Sequence, residues 1–141
     1  MTDVSSKVLR VLLVLLGVVN VFIGINVGLG GIQTLGLQGQ VKFLEITNEH
    51  MFLVQDSHIR FFGGLYFGVG LFLILAATNL RKFAPGLKLV FALIFIGGLA
   101  RLSIMRPEII LGKEIIASLI AELVGMPLLF LWLSRTGKKL T

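Results

Sequence analysis

The sequence predicts an all-α membrane protein: a four-transmembrane-helix antiparallel bundle with both termini in the cytoplasm. Three observations carry this. First, 56% of the 141 residues are hydrophobic and 14% are charged, against about a quarter charged in a soluble domain. Such a surface is better matched to lipid than to water. Second, four apolar runs divide the chain, and a helix needs roughly 20 such residues to cross a bilayer. Third, the basic residues fall asymmetrically about those runs. Eight of the 13 (Lys7, Arg10, Arg81, Lys82, Lys88, Arg135, Lys138 and Lys139) lie at the termini or in the middle link. With four spans these share a side, which the positive-inside rule assigns to the cytoplasm. We therefore expect one domain over 1–141 in a bacterial plasma membrane, with spans near 7–28, 58–79, 87–105 and 110–134. A long outer loop over 30–56 joins the first two.

The first span has Lys7 and Arg10 at its interface, and no charge follows from Val11 to Val41. That run is about double a signal peptide's apolar core, so a retained helix is expected. Gly17, Asn20, Gly24 and Gly28 recur at helical spacing and share a face. Gly24 and Gly28 form a small-xxx-small pair suited to close helix approach. Asn20, near the bilayer midplane, suits an interhelical hydrogen bond.

From Gly30 to Thr47 the chain turns glycine-rich and more polar, and Val41 to Thr47 has a partly alternating, strand-compatible pattern. Irregular backbone facing lipid leaves amides unpaired, so this loop must be covered or stay near water. The second helix has two possible starts. Asn48 suits an N-cap with Glu49 at the positive end of the dipole; Asp56 or Ser57 offers a later one. Arg60, Gly64 and Gly68 then share a face just inside the membrane, with Gly63 beside them.

Pro85-Gly86 reads as a turn before the third span. There Gly97, Gly98 and Arg101 repeat the design of glycines beside an arginine. In the fourth span Glu114, Ser118 and Glu122 are spaced four apart, a polar stripe on a continuous helix. Pro127 frees the carbonyl of Leu123, so a kink is expected there. Trp132 suits an interfacial anchor.

An ionised side chain at membrane depth costs at least ~2.5 kcal/mol on insertion scales, so such groups are paired or solvated. Asp56, Arg60, Arg101, Glu114, Ser118, Glu122 and Asn20 are therefore the candidate site residues, expected to converge in the outer half. Gly24, Gly28, Gly63, Gly64, Gly68, Gly97 and Gly98 are the candidate packing residues. The first reading is a non-enzymatic membrane bundle, either a ligand-binding module or an accessory subunit, and the charges themselves fit several roles. The charges form an ion-pair network that fixes helix register. Alternatively they line an outward pocket, in which Arg60 and Arg101 bind an anionic small molecule or lipid head group through the guanidinium fork. Asp56 and Glu122 would neutralise both arginines in the first case. A third reading makes Glu122 a proton-coupling carboxylate in a small transporter. A lipid- or quinone-linked enzyme needs an acid or base in reach of substrate, and only Asp56, His58, Glu114 and Glu122 qualify.

No cysteine is present, which removes thiolate metal sites and thiol nucleophiles. His50 and His58 do not follow a recognised ligand spacing, and the glycines of 63–70 lie inside an apolar run rather than in a phosphate-binding loop. No cofactor or metal is expected. The net charge of +6 serves orientation rather than nucleic-acid binding, because no basic patch is interleaved with exposed aromatics. The glycine pairs also leave room for a homo-oligomer.

The runs RFFGGLYFGVGLFL, FIGGLARLS and ELVGMPLLFLW resemble small bacterial four-helix membrane proteins grouped as a domain of unknown function, similar in layout to DoxX-like proteins. The resemblance rests on Arg60, Gly63, Gly64, Gly68, Gly70 and Leu71 in the second span, on Gly97, Arg101 and Ser103 in the third, and on Glu122 in the fourth. It implies the four-span fold and weight on Arg60 and Arg101. It implies no reaction, ligand or partner.

Overall fold

The computed structural model describes residues 4–37 and 46–139. Among these all the regular structure is helical, with no strand. The strand-compatible stretch beginning at Val41 falls largely outside the described residues.

Helix α1 spans Val4–Gly30 and passes into a 3-10 segment, Gly31–Leu37. The junction is Gly31, at φ +68°, the left-handed geometry that commonly ends helices and that glycine adopts without penalty. Helix α2 spans Glu49–Thr78 and takes the earlier of the two starts. The Asn48 side chain accepts from the Met51 amide at 3.1 Å.

Helix α3 spans Leu80–Arg101, so a single residue, Asn79, separates it from α2. Asn79 caps α3 by accepting from the Lys82 amide at 3.1 Å. Pro85-Gly86 is therefore no turn: the helix runs through it. Pro85 lies close to the helix start, where only the Arg81 carbonyl loses its partner.

A 3-10 turn, Leu102–Ile104, ends α3, and the short α4 spans Pro107–Ile110. The fourth apolar run is not one regular helix. It comprises α5 (Ile116–Ile120), a π turn (Ala121–Gly125) and α6 (Met126–Lys139). The wide turn sits just before Pro127, whose ring would crowd the Leu123 carbonyl in a regular α-helix. The irregularity expected at Pro127 takes this form.

The chain divides into two compact units. One comprises Arg10–Thr78; the other comprises Asn79–Thr141 with Met1–Leu9. In the first, α1 and α2 run antiparallel with backbones in close approach. A Cβ at Gly63 would come closer than 3.0 Å to the backbone of Gly28 and Val27, and one at Gly24 would strike the Phe67 backbone. Gly17 and Gly70 meet the same way. In the second, α3 packs antiparallel to α6 and the π turn, with Leu80, Leu87, Phe91, Leu129 and Leu133 buried. The first turn of α1 joins this unit, where Trp132 Nε1 donates to Ser5 Oγ at 2.7 Å.

Four helical stretches are long and apolar enough to cross a membrane: Val4–Thr34, Glu49–Thr78, Leu80–Ile104 and Ile116–Thr136. Only 17–28% of each apolar window is buried. Phe22, Phe61, Leu93 and Leu128 are more than half exposed. Apolar surface left uncovered on this scale marks contact with partners or membrane, and over four spanning-length helices the natural cover is lipid.

Candidate functional site

Two polar clusters stand out, one in each unit. The first is built where α1 ends. A helix terminus leaves carbonyl and amide groups unpaired and carries partial charge. Neither α1 nor α2 has a basic residue in its last turn, so each relies on its neighbour. Arg60, from α2, donates through Nη1 to the Leu29 carbonyl at the end of α1. Its Nε donates to Asp56 Oδ2 at 2.6 Å, one turn back on the same helix. The other oxygen, Asp56 Oδ1, accepts from the Ile32 amide at 2.7 Å. Asp56 thus holds both the arginine and the first amides beyond α1. The carboxylate packs directly against Gly31, where a Cβ would collide with it. Thr34 Oγ completes the corner by donating to the Asn26 carbonyl at 2.9 Å.

At the other end of the same helix pair, Arg10 does the reciprocal task. Its Nη1 donates to the carbonyls of Ala77 at 2.5 Å and Thr78 at 2.7 Å, at the end of α2.

The second cluster joins α3 to the π turn. Arg101, the last residue of α3, presents two donors to one carboxylate. Nε reaches Glu122 Oε2 at 2.7 Å and Nη2 reaches Oε1 at 2.9 Å. This is the two-point geometry that a guanidinium makes with a planar oxyanion. The glutamate side chain is 13% exposed and the arginine 40%, so the pair is wet or lipid-facing on one side. Gly98 makes the approach possible, since a Cβ there would lie 2.8 Å from Glu122 Cβ.

The remaining expected site residues behave differently. Among the described residues Asn20 makes no interhelical hydrogen bond; its Nδ2 donates to Leu16 O, 2.8 Å away in its own helix. Glu114 is exposed in the turn before α5. Ser118 Oγ donates back to Ile115 O at 2.8 Å. Glu114, Ser118 and Glu122 therefore draw no stripe, because regular helix begins after Glu114 and the π turn changes the spacing at Glu122. Gly64, Gly68 and Gly97 also differ from expectation: a Cβ on any of them meets nothing within 4 Å. In α2 the face against α1 is that of Gly63, Phe67 and Gly70, one residue away from the Gly64–Gly68 face.

Sequence reasoning placed Arg10 only at an interface and left Gly70 out of the packing set. The signal for Gly70 was available. Gly17/Gly24 and Gly63/Gly70 are each seven apart, two helical turns, which keeps both glycines of a pair on one side.

Among the described residues, no three His, Asp or Glu side chains come together to hold a metal.

A chain of apolar spanning helices, broken by glycine contacts and isolated ion pairs, defines the class: a multi-pass integral membrane protein. Within that class it belongs to the family described as Domain of unknown function (DUF4345), whose family model matches residues 8–133. No curated protein and no solved structure matches it.

Proposed function

We propose that this is a non-enzymatic membrane protein of a bacterial plasma membrane, with both termini cytoplasmic. Its Arg101 serves as a docking point for the anionic group of a small molecule or lipid head group. The observation that carries the reading is the two-point contact of Arg101 with Glu122. The fork is already shaped for a planar oxyanion, Glu122 occupies it, and the arginine keeps 40% of its side chain exposed. A carboxylate or phosphate competes with Glu122 for the same donors. In this reading Asp56 and Arg60 serve the end of α1, and the site narrows to Arg101, Glu122 and the Gly98 gap that admits them.

The test is a thermal-shift titration of the purified protein with carboxylates and phosphates, beside Arg101→Gln and Glu122→Gln. Docking predicts that an active compound binds Glu122→Gln more tightly than wild type, because the internal competitor is gone, and that Arg101→Gln abolishes binding. A proton-coupled transporter predicts instead that adding a cationic substrate releases protons from the wild type and not from Glu122→Gln. If no anion shifts any of the three proteins, the pair acts only in helix register, and the docking proposal fails for the compounds tested.

A further inference from the structure

Arg10 and Arg60 do the same work at opposite ends of the α1–α2 pair, yet their surroundings differ. Arg60 has Asp56 beside it at 2.6 Å. Among the described residues no carboxylate lies within 4.0 Å of Arg10. Among the described residues it donates to two carbonyls, both through Nη1. The end of α2 offsets about half an elementary charge, and among the described residues Nε and Nη2 meet no acceptor. Arg10 lies six residues into α1, roughly 9 Å from its first residue at 1.5 Å per residue, an interfacial depth for a spanning helix.

What lies next to Arg10 is hydrocarbon. An open groove of about 410 Å³ is lined by Arg10, Val11, Val14, Leu15, Ile74, Ala77 and Thr78. Its wall is unsheltered, with Val11 60% and Leu15 58% exposed. Apart from Arg10 and Thr78 every lining residue is apolar. A molecule anionic at one end and long-chain apolar at the other would match both parts of this lining.

We infer that this groove is a binding site for one anionic glycerophospholipid. The phosphate engages Nε and Nη2 of Arg10, while one acyl chain lies along Val11, Val14, Leu15 and Ile74. The fork suits phosphate because its parallel N–H groups match two oxygens at once. Nη1 stays on the α2 carbonyls, so the lipid adds to the cap without displacing it. The lipid also supplies the counter-charge that Asp56 supplies to Arg60.

Native mass spectrometry of the full chain in detergent, titrated with dioleoyl phosphatidylglycerol or dioleoyl phosphatidylcholine, tests this. The wild type should hold one phosphatidylglycerol at least fivefold more tightly than phosphatidylcholine. Arg10→Gln should bring the two lipids level, and Arg10→Lys should keep an intermediate preference, since charge survives and the fork does not. Val14→Trp, which fills the groove and leaves Arg10 in place, should weaken both lipids, so the inference stays testable if Arg10→Gln destabilises the end of α2. Glycerol phosphate, which has no chains, should not compete at tenfold excess. Equal retention of the two lipids by wild type, an unchanged preference in Arg10→Gln, or an unaffected adduct in Val14→Trp would each overturn it. Competition by glycerol phosphate would replace the lipid with a free phosphate and overturn it too.

Discussion

Arg60 and Arg101 look alike in sequence: each sits at a membrane edge beside glycines. Their pairings differ. Arg60 meets an acid from its own helix, one turn away, and spends another donor on the end of α1. Arg101 meets an acid 21 residues away in sequence and gives it two donors, Nε and Nη2. The first pair is local, so it forms with α2 and then fastens a neighbour. The second exists only once α3 and the π turn have come together. A charge whose partner comes with its own helix is a fastener. One whose partner arrives by packing can be separated from it, which is why the docking proposal rests on Arg101 and not on Arg60.

The contacts beneath these pairs should break before the pairs do. Gly63→Leu is expected to have the largest effect, because the intruding atoms meet the Gly28 and Val27 backbone, which cannot rotate away. A cost of about 3 kcal/mol or more follows for overpacking against main chain. Gly64→Ala, one residue along, should cost nothing and can gain up to about 1 kcal/mol of helix propensity. Reversible unfolding in mixed micelles measures both. A loss at Gly64 would show that its face is covered by something outside the α1–α2 contact, such as a second copy of the chain.

Next come the ion pairs. A double-mutant cycle on Arg101→Gln and Glu122→Gln should give a coupling of about 1–2 kcal/mol. That is below the 3–5 kcal/mol for breaking a fully buried pair, because Arg101 is 40% exposed. Asp56→Ala removes the Arg60 partner and the acceptor of the Ile32 amide together, and should cost about 2 kcal/mol. Asp56→Asn keeps an acceptor for that amide and should cost less. Hydrogen exchange at Ile32 separates the two: the amide should lose protection in Asp56→Ala and keep most of it in Asp56→Asn.

Hydropathy made the four helices legible, because composition alone decides that such surfaces need lipid. It also named both arginines and their two acids. What it could not give was which glycine face does the packing. Gly63 and Gly64 are adjacent, so the 100° between them decides whether a helix approaches, and only the partner backbone fixes that. The polar stripe failed for a related reason. Spacing by fours describes a regular helix, whereas the chain starts that helix after Glu114 and widens it before Pro127. The link at Pro85-Gly86 was misplaced because a proline near a helix start removes little, and Asn79 had already supplied the cap. Arg10 was read as a charge at an interface. Its role appears only when the end of α2 arrives beside it, 67 residues later in the chain.

The smallest effect sharpens the same contrast between helix ends. After α3 the chain leaves its 3-10 turn through Met105, at φ 51°, whose amide donates to the Leu102 carbonyl. A non-glycine residue in left-handed geometry costs roughly 1 kcal/mol. Met105 is 84% exposed, so no packing offsets that cost. Met105→Asn should therefore stabilise the α3–α6 unit by about 0.5 kcal/mol, since asparagine tolerates the left-handed region. Met105→Gly should gain no more than that, because glycine returns freedom to the unfolded chain. Met105→Val should lose stability, as a β-branched side chain suits that region least. If all three melt together in the same detergent, the bend at Met105 is not under strain.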